Sequence, residues 1–298
     1  MRSKRLVLLV LALGISINPA LASVSKVQNA AVWWGDSLTA GAGGNGVTAP
    51  AELSKLLKIP VLNKGVGGEG SSEIAVRSGA LKLNVKFWGA GKKMGDWTEY
   101  QVVPDRGILR QGTNVLAGSL SKCLAILKFD GSAYSMRVYK CKKNLKDSSS
   151  IFEIIGLETT NAKYQIIWAG RNNGGDSLTV TNDVNSMISL FRKNNPSVKI
   201  YVLSVLIGAG EGLGTGAYAG ISSVNTALAL LSATYIDVRK CLIQDALTEQ
   251  RLVPTPQDMS DMQSDLVPTQ LRSDGIHLNP FGYHAVATCV AQAIKKSS

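Results

Sequence analysis

The feature that most constrains this chain is an apolar run, Ala30-Ala31-Val32-Trp33-Trp34, that stops at Gly35 and leads into Asp36-Ser37-Leu38-Thr39. An uninterrupted apolar run of that length suits a short strand buried on both faces. Glycine then breaks the strand, so Ser37 falls just beyond its carboxyl end. Open α/β sheets place their chemistry at that edge. A serine hydroxyl is a poor nucleophile until a base takes its proton, so the histidines matter next. There are two, His277 and His284, and His277 follows Asp274 by three positions in Ser273-Asp274-Gly275-Ile276-His277-Leu278-Asn279-Pro280. One tight turn can join that carboxylate to Nδ1 and leave Nε2 facing a serine. Ser37, Asp274 and His277 form a candidate triad in the chain order Ser…Asp…His.

The flanks repeat the alternation of short apolar runs and helical patterns. Strands are expected at 59–62, 164–169, 199–206 and 235–238, with helices at Ala49–Leu57, Ser71–Ser78, 180–191, 217–233, from about Arg239, and 280–294. Residues 250–272 carry three prolines and little periodicity, which predicts a long loop walling the site. Turns at 41–46, 65–70 and 170–173 follow strands, so a parallel sheet would gather them on one edge. The glycine turn 41–46 lacks a following Lys-Ser/Thr, which argues against a phosphate-binding loop. Two histidines seven apart and scattered cysteines match no usual zinc spacing, so no metal or cofactor is expected.

Residues 80–163 differ in character. Apolar and polar residues alternate in Leu81-Lys82-Leu83-Asn84-Val85-Lys86-Phe87 and in Tyr134-Ser135-Met136-Arg137-Val138-Tyr139. Short β-prone runs between glycine turns predict a small antiparallel barrel or sandwich inserted into the α/β pattern. The chain has 32 basic and 21 acidic residues, and this segment alone holds 14 of the first and 7 of the second. It enters just before the strand at 164–169, so it is expected beside the active-site edge. A solvated basic face is the plainer reading of its lysines.

The amino terminus is set apart from the fold. Arg2, Lys4 and Arg5 precede an apolar stretch over 6–15, and Ala20-Leu21-Ala22 is a small-x-small cleavage site. Residues 1–22 are therefore expected to be a secretory signal peptide, too short in apolar length for an anchor. Position 23 is serine, which argues against a lipoprotein. The protein is expected to be exported, periplasmic or secreted, with no membrane anchor and no nucleic-acid partner. Export permits disulfides among Cys123, Cys141, Cys241 and Cys289. A five-residue loop at 130–134 would place Cys123 directly opposite Cys141, leaving Cys241–Cys289 as the remainder.

Gly35-Asp36-Ser37-Leu38 together with Asp274-x-x-His277 resembles the GDSL/SGNH hydrolases. Asn63-Lys64-Gly65-Val66-Gly67-Gly68-Glu69 is similar to the family's second block and Gly170-Arg171-Asn172-Asn173 to its third, although Asn173 stands where an aspartate is usual. The resemblance covers roughly 28–79 and 164–298. It implies an α/β flavodoxin-like three-layer sandwich with a five-stranded parallel sheet, the SGNH hydrolase fold. The core would be 23–79 with 164–298, and 80–163 the inserted β domain. It further implies nucleophile Ser37, base His277, orienting Asp274, and an oxyanion hole from the backbone of Ser37 and Gly68 with the Asn172 amide. Asp36 is read as a brace of the turn and His284 as a packing residue that lacks an acidic neighbour. Arg171 is a candidate for binding an anionic substrate group, with a salt bridge as the equal alternative. The implied function is a serine esterase. An O-acetylesterase acting on an acetylated, anionic envelope or extracellular polysaccharide is favoured. A lipase, lysophospholipase or arylesterase, and a non-catalytic glycan-binding protein on the same scaffold, are the alternatives.

Overall fold

The computed structural model describes residues 29–108, 115–154 and 162–297. The expected signal peptide, 1–22, lies outside the described residues. Five short strands form one parallel sheet: β1 (Ala31–Gly35), β2 (Val61–Gly65), β9 (Tyr164–Trp168), β10 (Lys199–Leu203) and β11 (Thr234–Ile236). Their order is β11-β10-β9-β1-β2, so β9 and β2 leave β1 on opposite sides. That is the flavodoxin-like order, with its topological switch point between β1 and β9.

Alternation along β1 sorts the core into two layers. Ala31 and Trp33 join Tyr201, Leu203, Leu53, Tyr283, Val286 and Val290 on one face. Val32 and Trp34 join Ile74, Val180, Val184, Met187 and Val224 on the other. The first face is covered by α2 (Ala49–Leu57) and α9 (Pro280–Lys296), the second by α3 (Ser71–Ser78), α4 (Ser177–Asn194) and α5 (Gly216–Ala229). Both faces being buried explains why the strands are apolar throughout. Among the described residues no helix is long and apolar enough to cross a membrane.

The second unit is a closed antiparallel barrel of β3 (Leu83–Met94), β4 (Trp97–Pro104), β5 (Val115–Leu120), β6 (Cys123–Phe129), β7 (Tyr134–Tyr139) and β8 (Ser149–Ile154), in the order β3-β4-β7-β6-β5-β8. Closure leaves no sheet edge exposed. Leu83, Val85, Phe87, Leu127, Met136, Val138 and Phe152 fill its interior.

The barrel is inserted between α3 and β9. Helix α3 starts at Ser71, which bonds Asn173 beyond the end of β9, and ends at Ser78. Strand β9 begins at Tyr164, paired with Ala31 at the amino end of β1. The connection into β9 therefore reaches the sheet at the edge opposite Gly35, whereas Arg77, near the end of α3, reaches the Gly35 and Lys64 carbonyls. Val76 at the end of α3 belongs to the barrel's apolar cluster.

Both disulfides form, Cys123–Cys141 with Cα atoms 5.5 Å apart and Cys241–Cys289 at 6.4 Å. The hairpin register differs by one from expectation, because Phe129 pairs with Tyr134 and the loop has four residues. Asp130 sets that loop, its Oδ1 accepting from the N–H groups of Ser132 and Ala133 and from the Ser132 hydroxyl. Cys141 thus lies just past the strand and reaches Cys123 diagonally. Replacing Cys123 with serine reopens an 18-residue separation, which should cost about 3 kcal/mol in the chain-entropy account. Limited proteolysis should then cut the variant's barrel faster than the parent's, and equal rates would contradict the expectation.

Candidate active site

The site is built at the carboxyl ends of β1, β2 and β9. Gly35 closes β1, and a Cβ there would lie 2.1 Å from Thr39 Oγ1 and 2.5 Å from the Trp168 carbonyl oxygen. At Gly65 an added Cβ would stand 2.1 Å from the Ala40 nitrogen. The first turn of α1 (Ser37–Ala40) therefore rests directly on the strand ends, and only glycine permits the approach. Asp36 caps this helix, its Oδ1 accepting from the Leu38 N–H at 2.9 Å. The brace expected of Asp36 is what is found, and burial pushes its carboxyl up to about 6 against the pull of Leu38 N–H, His277 and Arg171.

Ser37, His277 and Asp274 form one hydrogen-bonded chain. Ser37 Oγ lies 2.9 Å from His277 Nε2, and His277 Nδ1 lies 2.8 Å from Asp274 Oδ2. The other Asp274 oxygen accepts from the backbone N–H groups of Ile276 and His277, each at 2.7 Å. One aspartate thus shapes the turn and orients the ring it carries. The His277 N–H comes first among the causes that hold the Asp274 carboxyl down at about 2. It therefore stays ionised throughout the neutral range.

The other blocks meet the same edge. The Asn172 amide donates to the Glu69 carbonyl oxygen at 2.9 Å, so the third block is tied to the second. Only one of its two hydrogens is used in that contact. Asn173 strengthens the tie, accepting from Ser71 N–H at 2.9 Å and donating to Ser71 Oγ at 3.0 Å. Gly68 sits in the connecting turn with φ 76°. Ser37 opens α1, where a backbone N–H has no intrahelical partner and remains available to an anion.

Arg171 takes the salt-bridged of its two expected roles. Both its terminal nitrogens lie 2.8 Å from the Glu211 carboxylate, and the side chain is largely buried. Glu211 also accepts from the Gly208 N–H, while Ala209 N–H donates to the Gly275 carbonyl. The loop after β10 is thereby pinned between the Asn172 and His277 blocks. His284 does have an acidic partner: the fold brings Glu52 Oε2 to 3.0 Å from its Nδ1. Helix α9 crosses α2 there, a meeting invisible in local sequence.

Two buried networks were not anticipated. Arg77 Nε donates to both Glu69 carboxylate oxygens, at 2.9 and 2.7 Å, and its NH2 to the carbonyls of Gly35 and Lys64. Burial pushes the Glu69 carboxyl upward while Arg77 pulls it back. The segment expected as a plain loop contains helix α8 (Pro256–Gln263). From it Asp258 accepts from Gln270 N–H and Asp261 from Arg272, bracing the chain just before Ser273. Thr255-Pro256-Gln257-Asp258 is a capping box, the signal that would have found this helix. Among the described residues no cluster of His, Cys, Asp or Glu suits a metal ion.

Asp36 makes the electrostatics testable. Its folded value of about 6 exceeds the ordinary carboxylate range, so the folded state holds a proton that the unfolded state releases. Its contribution to stability is therefore lost as pH rises from about 4 through 6. Asp36→Asn keeps an acceptor for Leu38 N–H and removes that titration. Relative to the parent it should gain about 2–3 kcal/mol between pH 4 and pH 8. Urea unfolding at the two pH values checks this, and an unchanged difference would contradict it.

No family model and no curated protein sequence matches the chain. Solved structures do resemble it. A protein assigned to the lipolytic G-D-S-L family from Desulfitobacterium hafniense DCB-2 is 12% identical at TM-score 0.48, covering 89% of this chain and 98% of that one. A carbohydrate esterase of family 3 from Talaromyces cellulolyticus is 13% identical at TM-score 0.43, covering 90% and 97%. A peptidoglycan O-acetylesterase is 10% identical at TM-score 0.40, covering 93% of each. Scores and identities this low leave the argument to the chain's own strand order, motifs and contacts. The strand order and the meeting of Ser37, His277 and Asp274 agree with what the resemblance to the GDSL/SGNH hydrolases implies.

Proposed function

We propose that this protein is an exported serine esterase that removes O-acetyl groups from an envelope or extracellular polysaccharide. The observation that carries the catalytic part is the unbroken Asp274–His277–Ser37 hydrogen-bond chain at one sheet edge. His277 Nε2 takes the Ser37 proton as Oγ attacks the ester carbonyl carbon. The carbonyl oxygen becomes an oxyanion, held by the N–H groups of Ser37 and Gly68 and the free hydrogen of the Asn172 amide. One such donor contributes about a hundred- to a thousandfold in rate. As the tetrahedral species collapses, imidazolium returns the proton to the leaving sugar hydroxyl, and acetyl stays on Ser37. Water, deprotonated by the same ring, releases acetate. Arg171 is assigned to holding the Glu211 loop, because both its terminal nitrogens are engaged.

Residues 1–22 as a removed leader, 23–79 with 164–298 as the catalytic core and 80–163 as the insert complete the reading. Two disulfides suit an oxidising compartment. The basic surplus of 80–163 suits an acidic polymer.

A lipase-like or arylesterase reading has one observation in its favour. Ile276, between Asp274 and His277, and Phe281 just beyond are exposed apolar side chains. The test is hydrolysis of p-nitrophenyl esters of rising chain length, followed by acetate release from acetylated polymers. The proposal expects activity to fall sharply beyond acetate, with acetate released from polymer. Rising activity on long chains and no acetate release would replace it with the lipase reading. No hydrolysis of any ester would leave only the glycan-binding alternative.

A further inference from the structure

The barrel interior is filled without Trp88, Trp97 or Tyr139. On β3 burial alternates, with Leu83, Val85 and Phe87 inward and Asn84, Lys86 and Trp88 outward. On β4, Tyr100 packs against Phe87 inside, which places Gln101, Glu99 and Trp97 on the outer side. Strand β7 turns Met136 and Val138 in, leaving Arg137 and Tyr139 out.

Register then orders this outer face. Trp88 stands opposite Gln101, Glu99 opposite Arg137, and Trp97 opposite Tyr139. The Trp97 and Tyr139 rings are 5.1 Å apart and form one aromatic platform. Trp88, 52% exposed, forms a second, with Lys86 Nζ 4.5 Å from its ring centroid. Four residues of β4 separate the two platforms, about 14 Å. Between them β3 bulges through Gly89-Ala90-Gly91 and then brings Lys92 opposite Glu99 on the same outer face. The Arg137–Glu99 pair lines the other side of the gap.

Two aromatic platforms with Lys86, Lys92, Arg137 and Lys140 around them, against Glu99 and Asp96, match an extended, acidic chain of rings. Aromatic faces take the apolar faces of pyranoses, and guanidinium or ammonium groups take carboxylates. A single sugar is too short to touch both platforms. We propose that this β3–β4–β7 face binds an acidic polysaccharide, tethering the polymer through residues other than those of the Ser37 site. None of these side chains belongs to the Asp274–His277–Ser37 chain, so the tether is a separate set of residues. The inference deepens the reading above by naming the face that would hold the polymer, and it rests on that reading for why a polymer is held.

The test uses the full chain with Ser37→Ala, so that binding is read without hydrolysis. Mobility is compared in gels containing polygalacturonate or neutral dextran. Retardation by polygalacturonate alone, weaker at high salt, is expected. Trp88→Ala with Trp97→Ala should weaken it about tenfold or more, since each loses one buried aromatic contact. Trp88→Phe should keep most of it. With Ser37 restored, the double variant should hydrolyse p-nitrophenyl acetate as the parent does, which also shows that it folds. Equal retardation of parent and double variant, or equal retardation by dextran, would overturn the proposal. So would a double variant that changes oligomeric state in gel filtration but not polymer binding, which would make the face a protein interface. A parent that hydrolyses esters but is never retarded refutes the tether alone. One that is retarded but hydrolyses nothing refutes the esterase instead.

Discussion

Ser37→Ala is expected to lower kcat on p-nitrophenyl acetate by about a hundred thousand- to a million-fold, the loss typical of a triad serine. The hydroxyl makes one hydrogen bond, to His277 Nε2. Its removal leaves the Asp36 cap on Leu38 and the glycine contacts beneath α1 untouched. Stability should therefore change by less than about 1 kcal/mol. Asp274→Asn and His277→Ala should add little to the loss when combined with it, because the three groups act as one unit. Kinetics of the single and combined variants, with urea unfolding alongside, measures both parts. Activity within tenfold of the parent would contradict the assignment of the nucleophile.

The second large effect is on stability. Arg77→Met should destabilise the core by about 3–5 kcal/mol, because it strands a buried carboxylate. Glu69 has no exposed side-chain surface, and Arg77 is its bidentate partner. The same arginine holds the carbonyls of Gly35 and Lys64, so the ends of β1 and β2 lose a shared donor. Arg77→Met with Glu69→Gln should recover much of the loss, since the charge is removed with its counterion. Because the Glu69 carbonyl receives the Asn172 amide, activity at a temperature where both variants are folded should fall as well. Urea unfolding of the two variants decides the first point. Equal stability of single and double variants would show that the pair is worth little beyond its packing.

What local sequence could show was the placement of chemistry, because glycine breaks and apolar runs are local signals. The run ending at Gly35 put Ser37 at a strand's carboxyl end, and Asp274-x-x-His277 announced a turn that orients its own imidazole. Alternation over 81–87 and 134–139 announced antiparallel strands. Barrel closure was less legible, since which strands meet depends on register. The hairpin at Asp130 shows the limit: its carboxylate tightens the loop by one residue and shifts the cysteines off direct opposition. Partners far apart in sequence were harder still. Glu52 meets His284, and Glu211 meets Arg171, only because α9 crosses α2 and the β10 loop folds onto β9.

The central claim is that Ser37 is a nucleophile activated by His277, and covalent labelling tests it most directly. The protein is treated with diethyl p-nitrophenyl phosphate, which phosphorylates an activated serine and releases p-nitrophenol. Peptide mapping by mass spectrometry then locates the adduct. One diethylphosphoryl group per chain, on Ser37, appearing in step with the loss of esterase activity and absent in His277→Ala, is the result predicted. Full inactivation with the label elsewhere, or an active enzyme carrying the label on Ser37, would contradict it.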